Sequence, residues 1–371
     1  MYDLNNKHLL LDYSNSVFLK LYTDMLLIKC NCSPDDLRII SIDQDKLTPK
    51  EINNIPVYFF DKLTDNDFQQ CRTITAISLS SLNSKQIQKI IQNKENIKKL
   101  YIHITDDEID RWIETKNKYG DLIPTNKNYT DESCIKVLNE INNLIAPEEY
   151  FLERLKYLLP NKNFKFIDAR DAFKSLPSEL WDKFSNLYNT NTSETLPEKS
   201  IFIGPKRDAF GLFDTISIIK NLQNKELLPE YKLLLFTHKK KKHIRIIIDL
   251  YLSYLRHIKK CNVDIAYPTV TNALTYNALI MSCSHLILQK RGSMSTARSY
   301  LSLGRGVIHV HKNSPNHQEL CFSENVDIAE YENFSELANN IKSNNINIFH
   351  NREKILARYN KKYDELKKIY Q

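Results

Sequence analysis

The stretch from His285 to Leu320, HLILQKRGSMSTARSYLSLGRGVIHVHKNSPNHQEL, decides the fold class of this chain. Its opening run HLILQ has three consecutive apolar residues at its centre, which predicts a strand buried on both faces. Residues 295–303 then predict a helix, and residues 306–310 predict a second strand. A strand, a helix and a strand in this order are typical of a parallel sheet wound with right-handed crossovers.

The same alternation extends outward along the whole chain. In the second half we predict strands at 200–203, 232–236, 263–266, 285–288, 306–310 and 326–329, and helices at 213–222, 243–259, 271–281, 295–303 and 334–343. In the first half we predict strands at 25–30, 38–43, 57–60, 73–79, 99–104 and 164–168, and helices at 84–93, 133–144 and 148–159. This rhythm predicts an α/β protein with two Rossmann-like domains.

The polar segment 188–199, which has no periodicity, is predicted to link the two domains. We therefore expect a first domain at 1–190, a second domain at 191–350 and a C-terminal helix at 351–371. In that helix four apolar or aromatic residues recur at helical spacing: Tyr359, Tyr363, Leu366 and Tyr370. The helix either packs on the nearest domain or crosses back to the first one.

Composition and charge restrict the class of protein. The chain has 371 residues and a formal net charge of +7, which fits a protein that handles anionic substrates or touches an anionic membrane. The sequence has no zinc finger, RNP-type motif or arginine-rich arm, so we predict no nucleic-acid partner. Its first residues, MYDLNNKHLLLDYSN, lack the charged region and long apolar stretch of a signal peptide, and it has no apolar window of about 18 residues, so we expect any membrane contact to be peripheral.

The seven cysteines are scattered and form no C-x-x-C pair. Cys30 and Cys32 end an apolar run, and alternation in a strand would place both as buried thiols on one face. A reducing compartment suits this pattern. We predict a cytoplasmic protein. Any membrane that it contacts is expected to be the inner face of the cytoplasmic membrane.

The turn after the strand HLILQ has the parts of a diphosphate cradle. Ligands of doubly wound sheets bind outside the carboxyl ends of the strands, and a helix N-terminus offers free N–H groups to phosphate. A small residue lets the backbone approach, hydroxyls donate and basic side chains add charge. The predicted donor-binding residues here are Lys290, Arg291, Gly292, Ser293, Met294, Ser295 and Thr296. Ordinary helix capping by Ser293 or Ser295 is the alternative.

The segment TYNALIMSCSHLILQKRGSMSTARSYLSLGRGVIHVHKNSPNHQEL resembles the donor-binding part of the bacterial TDP-N-acetylfucosamine:lipid II N-acetylfucosaminyltransferases, also called 4-alpha-L-fucosyltransferases. The pattern is a cysteine before a buried strand, a Gly-x-x-Thr-like turn, a helix, a glycine turn, a strand and an Asn-x-Pro element. The matching residues are Cys283, Gly292, Ser295 or Thr296, Gly304 and Gly306, Asn313, Pro315 and Gln318. The resemblance covers roughly residues 270–325.

The resemblance implies a GT-B fold, with two Rossmann-like domains facing across a cleft. It also implies a nucleotide-sugar donor, a glycan or lipid-linked acceptor and a place in surface polysaccharide assembly, such as lipopolysaccharide biosynthesis. Asn313 joins the predicted donor site on this basis. The serine-rich turn is also similar to that of bacterial sialyltransferases and Kdo transferases, which use CMP donors. The His-Pro motif of those families is absent, because His238 is followed by Lys239.

Two further strand ends carry donor-binding candidates. Residues 200–208, SIFIGPKRD, predict a buried strand followed by Gly204, Lys206 and Arg207, where GT-B enzymes bring a basic residue to the donor phosphates. His238 ends the run KLLLFTH and precedes four lysines at 239–242. A solvated turn and a solvated helix start are the respective alternatives.

Asp106 and Asp107 are the predicted catalytic residues, because an inverting transferase needs a carboxylate to accept the proton of the acceptor hydroxyl. They follow a first-domain strand, and crowding with Glu108 would raise a carboxyl pKa. The alternative is that Thr105 and Glu108 form a capping box.

We predict neither a metal site nor a cofactor. Asp43, Gln44 and Asp45 spell D-x-D, but we interpret the segment as a turn. The leading hypothesis is a metal-independent glycosyltransferase. A nucleotide-sugar-binding module without catalysis is the second hypothesis, and a different α/β enzyme such as an epimerase is the third.

Overall fold

The structure is a computed structural model and describes residues 3–43, 48–126, 129–169, 172, 174, 176–189, 198–206, 209–236, 242–343 and 345–371, without the side chains of 106, 187–189 and 242. The chain separates into two compact units. Unit 1 comprises Met1–Phe173 and Tyr359–Gln371, and unit 2 comprises Lys174–Arg358. Residues 190–197 of the predicted linker lie outside the described residues.

Unit 1 is built on a sheet of eight strands within its described residues. The strands are β1 (His8–Asp12), β2 (Leu37–Ser41), β3 (Glu51–Ile52), β4 (Ile55–Phe59), β5 (Thr73–Ala76), β6 (Leu100–His103), β7 (Asn143–Ile145) and β8 (Lys165–Ile167). Their order is β3-β4-β2-β1-β5-β6-β7-β8, and only the pairing of β3 with β4 is antiparallel among the described strands. Strands β1, β2 and β5 are buried along their whole length, as expected for a sheet covered on both faces.

The helices of unit 1 each bury at least one apolar side chain. They are α1 (Val17–Ile28), α2 (Asp65–Gln70), α3 (Ser84–Ile91), α4 (Lys94–Lys98), α5 (Asp106–Tyr119), α6 (Glu132–Glu140) and α7 (Glu148–Leu158). The core gathers residues of the strands and of α3, α5, α6 and α7, with Ile102, Ile109 and Val137 fully buried.

Two predictions for the first half are corrected by the structure, and one strand was missed. Residues 25–30 lie at the end of α1 and just beyond it, because Leu19, Tyr22 and Leu26 form a buried helical stripe. The predicted helix 133–144 ends at Glu140, and the short strand β7 follows it. Strand β1 was not predicted, although its sequence HLLLD is apolar in the middle.

Unit 2 is built on a parallel sheet of six strands within its described residues. The strands are β9 (Glu198–Ile203), β10 (Lys232–Leu235), β11 (Ile265–Ala266), β12 (Cys283–Ile287), β13 (Val307–His311) and β14 (Ala329–Tyr331). Their order is β11-β10-β9-β12-β13-β14, so the first strand of the unit lies in the middle. All six correspond to predicted strands, although β14 begins where its predicted range ends.

The helices of unit 2 begin with α8 (Ser178–Asn189), α9 (Leu212–Asn224), α10 (Lys242–His257) and α11 (Ala273–Met281). They continue with α12 (Met294–Ser302), α13 (Pro315–Gln318), α14 (Phe334–Ser343) and α15 (Ile348–Tyr370). The core combines β9, β10, α9, α10 and α14, with Ile219, Leu233 and Leu337 fully buried.

The end of α15 belongs to unit 1. The Tyr370 hydroxyl donates to Thr75 Oγ1 at 2.7 Å and lies 3.1 Å from the Tyr22 hydroxyl, and all three groups are buried. Gln371 Nε2 donates to the carbonyl of Cys30 at 3.0 Å. Cys30 and Cys32 are buried free thiols, as predicted, but they follow a helix and do not lie in a strand. Burial raises the pKa of Cys30 to about 12 and that of Cys32 to about 11.

Within the part of the chain that is described, no helix is both long enough and apolar enough to cross a membrane.

Candidate functional site

The sheet of unit 2 changes winding direction beside its central strand. From β9 the chain proceeds to β10 and β11 on one side, and it then returns to β12 on the other side of β9. In doubly wound sheets ligands bind outside the carboxyl ends of the strands at such a point. The segments that leave β9 and β12 here contain Gly204 and Lys206 on one side and residues 289–293 on the other. Two separately predicted parts of the donor site are therefore neighbours.

The loops after β9 and β12 are in contact. The Gly204 N–H donates to the carbonyl of Ile287 at 3.0 Å, which ties the first loop to the end of β12. Gly292 has a φ of +85°, a conformation that L side chains rarely adopt. A Cβ added at Gly292 would lie 3.1 Å from Lys206 Nζ. The Lys206 ammonium group therefore lies over the backbone of the turn, where an added side chain would crowd it.

Asn316 holds the turn after β12 from behind. Its side chain is 1% exposed, and its Oδ1 accepts a hydrogen bond from the Gly292 N–H at 2.9 Å. Its Nδ2 donates to the carbonyls of Gln289 at 2.7 Å and of Gly292 at 3.0 Å. One side chain from α13 thus satisfies three backbone groups and fixes the conformation of the turn.

Gln289 supports the same turn from within. Its Nε2 donates to the carbonyl of Gly292 at 3.0 Å and to Ser293 Oγ at 2.8 Å. The side chain is buried, and its Oε1 has no hydrogen-bond partner among the described atoms. A buried polar atom without a partner is uncommon in a folded protein.

Helix α12 begins without a side-chain cap. Its N-cap residue Ser293 has a left-handed backbone with φ of 68°, and no side-chain capping bond is present in the described helix start. The Ser293 hydroxyl instead accepts a hydrogen bond from Gln289. Capping by Ser293, the alternative to phosphate binding, is therefore wrong. The described start of α12 therefore has no side-chain cap on its first-turn N–H groups, and the positive end of a helix dipole favours anions.

The predicted cradle residues differ in exposure. The side chains of Lys206, Lys290, Arg291 and Ser295 are exposed, whereas those of Met294 and Thr296 are buried. The exposed basic side chains bring positive charge to the start of α12. The buried side chains of Met294 and Thr296 anchor the helix start in unit 2.

Thr296 has a structural partner in Tyr276 of α11. The Tyr276 hydroxyl lies 3.0 Å from Thr296 Oγ1 and donates to the carbonyl of Pro205 at 2.6 Å. Burial raises the pKa of this tyrosine. Its ring stacks on Phe236, at the end of β10, with centroids 6.2 Å apart and planes 12° apart. Tyr276 thus joins α11, α12 and the loop after β9.

Three further residues were predicted to bind the donor: Arg207, His238 and Asn313. Arg207 and His238 lie outside the described residues, so their roles remain predictions. Asn313 is exposed in a left-handed turn after β13, with φ of 58°. Asn316, three residues later, is the asparagine that contacts the turn.

Sequence reasoning missed Gln289, Asn316 and Tyr276 as parts of the site. A buried strand that ends in glutamine was the available signal for Gln289. No sequence signal pairs Asn316 with a turn 24 residues earlier.

The predicted catalytic carboxylates lie at the start of α5 in unit 1. The side chain of Asp106 is not described, and that of Asp107 is exposed. Glu108 is 3% exposed and accepts hydrogen bonds from the N–H groups of Leu79, at 3.0 Å, and Thr105. Thr105 and Glu108 form the capping box that was the alternative interpretation. Glu108 therefore has a structural role.

Asp12 is a carboxylate that the sequence analysis missed. It ends β1 beside β5, where the winding of the unit 1 sheet changes direction. It is 8% exposed, and burial raises the pKa of its carboxyl although a hydrogen bond from Ser16 opposes the shift. A carboxyl with a raised pKa is a better proton acceptor near neutral pH than an ordinary aspartate.

Asp43, the described residue of the D-x-D motif, closes a neighbouring loop. It accepts hydrogen bonds from Ser14 N at 3.0 Å and from Ser41 Oγ. Burial acts to raise the pKa of Asp43, but these hydrogen bonds outweigh it and hold the pKa below its usual value. Gln44 and Asp45 lie outside the described residues. Among the residues that the structure describes, no group of three or more His, Cys, Asp or Glu side chains is arranged to hold a metal ion.

Comparison with known proteins yields matches at the level of structure. No protein-family model and no curated protein sequence matches the chain. A glycosyltransferase from Rickettsia africae ESF-5 is similar over 100% of this chain and 98% of its own, with 13% identity and a TM-score of 0.52. HepE from Anabaena, in complex with UDP, is similar over 98% of this chain and 96% of its own, with 13% identity and a TM-score of 0.50.

The alpha,alpha-trehalose 6-phosphate synthase from Burkholderia multivorans is similar over 98% of this chain and 95% of its own chain, with 7% identity and a TM-score of 0.50. Identities this low show a shared fold and nothing narrower, so the resemblance to the N-acetylfucosaminyltransferases stays a prediction. With two parallel-sheet units and these structural neighbours, the chain has the GT-B fold.

Proposed function

We propose that this protein is a glycosyltransferase that takes a sugar from a nucleotide-sugar donor. Unit 2 would hold the donor diphosphate at the start of α12. The observation that supports this most directly is the uncapped helix N-terminus at Ser293 with the Lys206 ammonium group over the adjacent Gly292.

The same turn suits the chemistry of sugar transfer. When the bond from sugar to phosphate breaks, negative charge develops on the leaving diphosphate. Fixed N–H donors, a helix dipole and a lysine stabilise that charge without rearranging during the reaction. Asn316 and Gln289 hold these backbone N–H groups in place, because they fix the backbone of the turn. No metal ion has a part in this proposal.

Proton removal from the acceptor hydroxyl would fall to a carboxylate of unit 1. Asp106 and Asp107 are the residues predicted from sequence, and we add Asp12, whose burial and raised pKa suit a general base. The glycan or lipid-linked acceptor, the surface-polysaccharide role and the cytoplasmic location rest on the sequence resemblance and on the charge.

The donor site is tested by thermal shift with UDP-, dTDP-, GDP- and CMP-linked sugars, with and without Mg²⁺. A ligand at about 100 times its Kd stabilises the fold by roughly 2.7 kcal/mol. HepE was solved with UDP, and the sequence resemblance points to dTDP, so these two are the first candidates. The key variant is Lys206→Gln. Its matched control is Lys199→Gln, which changes a lysine at the opposite end of β9 that pairs with Glu230 at 3.1 Å.

We expect one nucleotide class to stabilise the protein without metal, and Lys206→Gln to weaken that binding while Lys199→Gln does not. A shift with CMP-sugars alone would favour the sialyltransferase or Kdo-transferase type. An absence of any shift in the wild-type protein would contradict the donor site.

The assignment of the general base is tested by a turnover assay. The assay measures the nucleoside diphosphate that is released from the donor when an acceptor is present. Asp12→Asn should lower turnover about 10²-fold or more and leave the thermal shift intact. Asp107→Asn is the matched comparison: if it alone lowers turnover, the sequence-based assignment is correct. Binding without turnover in the wild-type protein would identify a non-catalytic module.

A further inference from the structure

Helix α10 of unit 2 has two apolar faces. Its inner face, with Ile248, Leu252 and Leu255, is buried in the core of the unit. Its outer face carries Ile246, Leu250 and Tyr254, which are 59%, 65% and 41% exposed. At 100° per residue these three side chains point away from the core, with Ile247 and the following Ile258 beside them. Exposed branched aliphatic side chains grouped on one face mark an interaction surface.

The sequence segment that contains α10 is strongly basic. Residues 239–260, KKKKHIRIIIDLYLSYLRHIKK, contain eight lysine or arginine residues and one aspartate. Their formal charge of +7 equals the net charge of the entire chain. Among the described residues, Lys259 and Lys260 are exposed just beyond the helix, and His243 is exposed at its start. Elsewhere along the chain acidic and basic residues balance.

We propose that the outer face of α10, defined by Ile246, Leu250, Tyr254 and Ile258, binds the surface of an anionic lipid bilayer. An apolar face flanked by lysine and arginine is the pattern of helices that lie in the membrane interface. Each basic residue near such a surface gains attraction to acidic headgroups. The helix already belongs to the folded core, so it presents this face without having to fold on the membrane.

A second copy of the chain is a poorer occupant of this face. A symmetric dimer through α10 would bring two surfaces of the same strong positive charge together. Like charges at an interface oppose association. An anionic bilayer satisfies both the apolar side chains and the charge.

The test is co-sedimentation of the full chain with vesicles of phosphatidylcholine alone or with about 30% phosphatidylglycerol added. We expect binding to the mixed vesicles, little binding to pure phosphatidylcholine, and loss of binding in 0.5 M NaCl because salt screens the attraction. Leu250→Ser should weaken binding about tenfold, since it removes most of one inserted side chain. The double variant Lys259→Gln/Lys260→Gln should weaken it about 30-fold.

Leu82→Ser is the matched control, because Leu82 is also exposed, at 56%, and lies in unit 1. It should bind vesicles as the wild type does. The melting temperature of each variant without ligand shows that the fold is intact, and the nucleotide-induced shift reports on the donor site independently of the membrane.

Failure to bind anionic vesicles would overturn the membrane inference, whatever the donor experiment shows. Equal binding by Leu250→Ser and the wild type would also overturn it. Concentration-dependent dimers that Leu250→Ser abolishes, without vesicle binding, would assign the face to a second copy.

Discussion

Replacement of Asn316 by alanine tests whether the donor turn is held from behind. The wild-type side chain accepts one hydrogen bond from Gly292 and donates two, to the carbonyls of Gln289 and Gly292. Alanine removes all three bonds and leaves the backbone groups that they satisfied without a partner, in a buried position at Gln289 and a partly buried one at Gly292. Asn316→Ala should therefore destabilise unit 2 and disorder the start of α12.

The magnitude follows from the hydrogen bonds. At about 1 kcal/mol net for each, three bonds amount to about 3 kcal/mol. For a domain of about 150–250 residues, 1 kcal/mol shifts the melting temperature by about 2–4 °C, so we expect a decrease of about 6–12 °C. Binding of the preferred nucleotide should weaken as well, because the N–H donors are no longer fixed in place.

Scanning calorimetry and a nucleotide titration of the same variant provide the two measurements. Asn313→Gly is the matched control, because it removes an exposed asparagine from the next turn and keeps the left-handed backbone there. If Asn316→Ala melts within about 2 °C of the wild type and binds nucleotide normally, the proposed support of the turn is refuted. If Asn313→Gly is the variant that loses binding, the sequence-based assignment of Asn313 is the correct one.

Two further predictions concern stability. Burial lowers the pKa of His285 from 6.5 to about 4. As the pH falls below 6.5, the unfolded chain therefore binds a proton at His285 before the folded protein does. Stability should decrease by about 2 kcal/mol from this residue between pH 7.5 and 5. Urea unfolding at both pH values measures the change, which should be smaller in His285→Gln, and an equal change in that variant would contradict the assignment. Gly306→Ala would place a Cβ in overlap with the carbonyl of Ser284 and the hydroxyl of Tyr300, so we expect a loss of about 3 kcal/mol or more in unfolding experiments. Gly211→Ala, whose Cβ would meet no atom closer than 3.8 Å, is the control and should unfold within about 1 kcal/mol of the wild type.

The fold was predictable wherever strands are buried on both faces and bounded by turns. Strands β9, β10, β12 and β13 of unit 2 are mostly buried, and runs such as those of β9 and β12 cannot be mistaken for amphipathic helices. The end of α1 was mistaken for a strand, because MLLI is a short apolar run and periodicity alone does not separate a buried helix end from a strand. Strand β7 is only three residues long and directly follows a helix, which leaves little pattern to detect.

The site was predictable only where its residues are close in sequence. Gly292 and Ser293 share one turn, and strand-end reasoning placed Lys206 at the same edge of the sheet. Asn316 and Tyr276 reach that turn from separate helices, and such contacts depend on side-chain directions that a single sequence does not encode visibly. Asp12 was missed together with its strand.

The last residues of the chain carry a consequence for biosynthesis. Tyr359–Gln371 belong to unit 1, yet the ribosome makes them after all of unit 2. Domains generally fold in the order in which they emerge. Here unit 1 lacks the buried contacts of the Tyr22 and Thr75 hydroxyls with Tyr370 until the whole of unit 2 has been made. A chain truncated after residue 358 would therefore contain all of unit 2 and an incomplete unit 1.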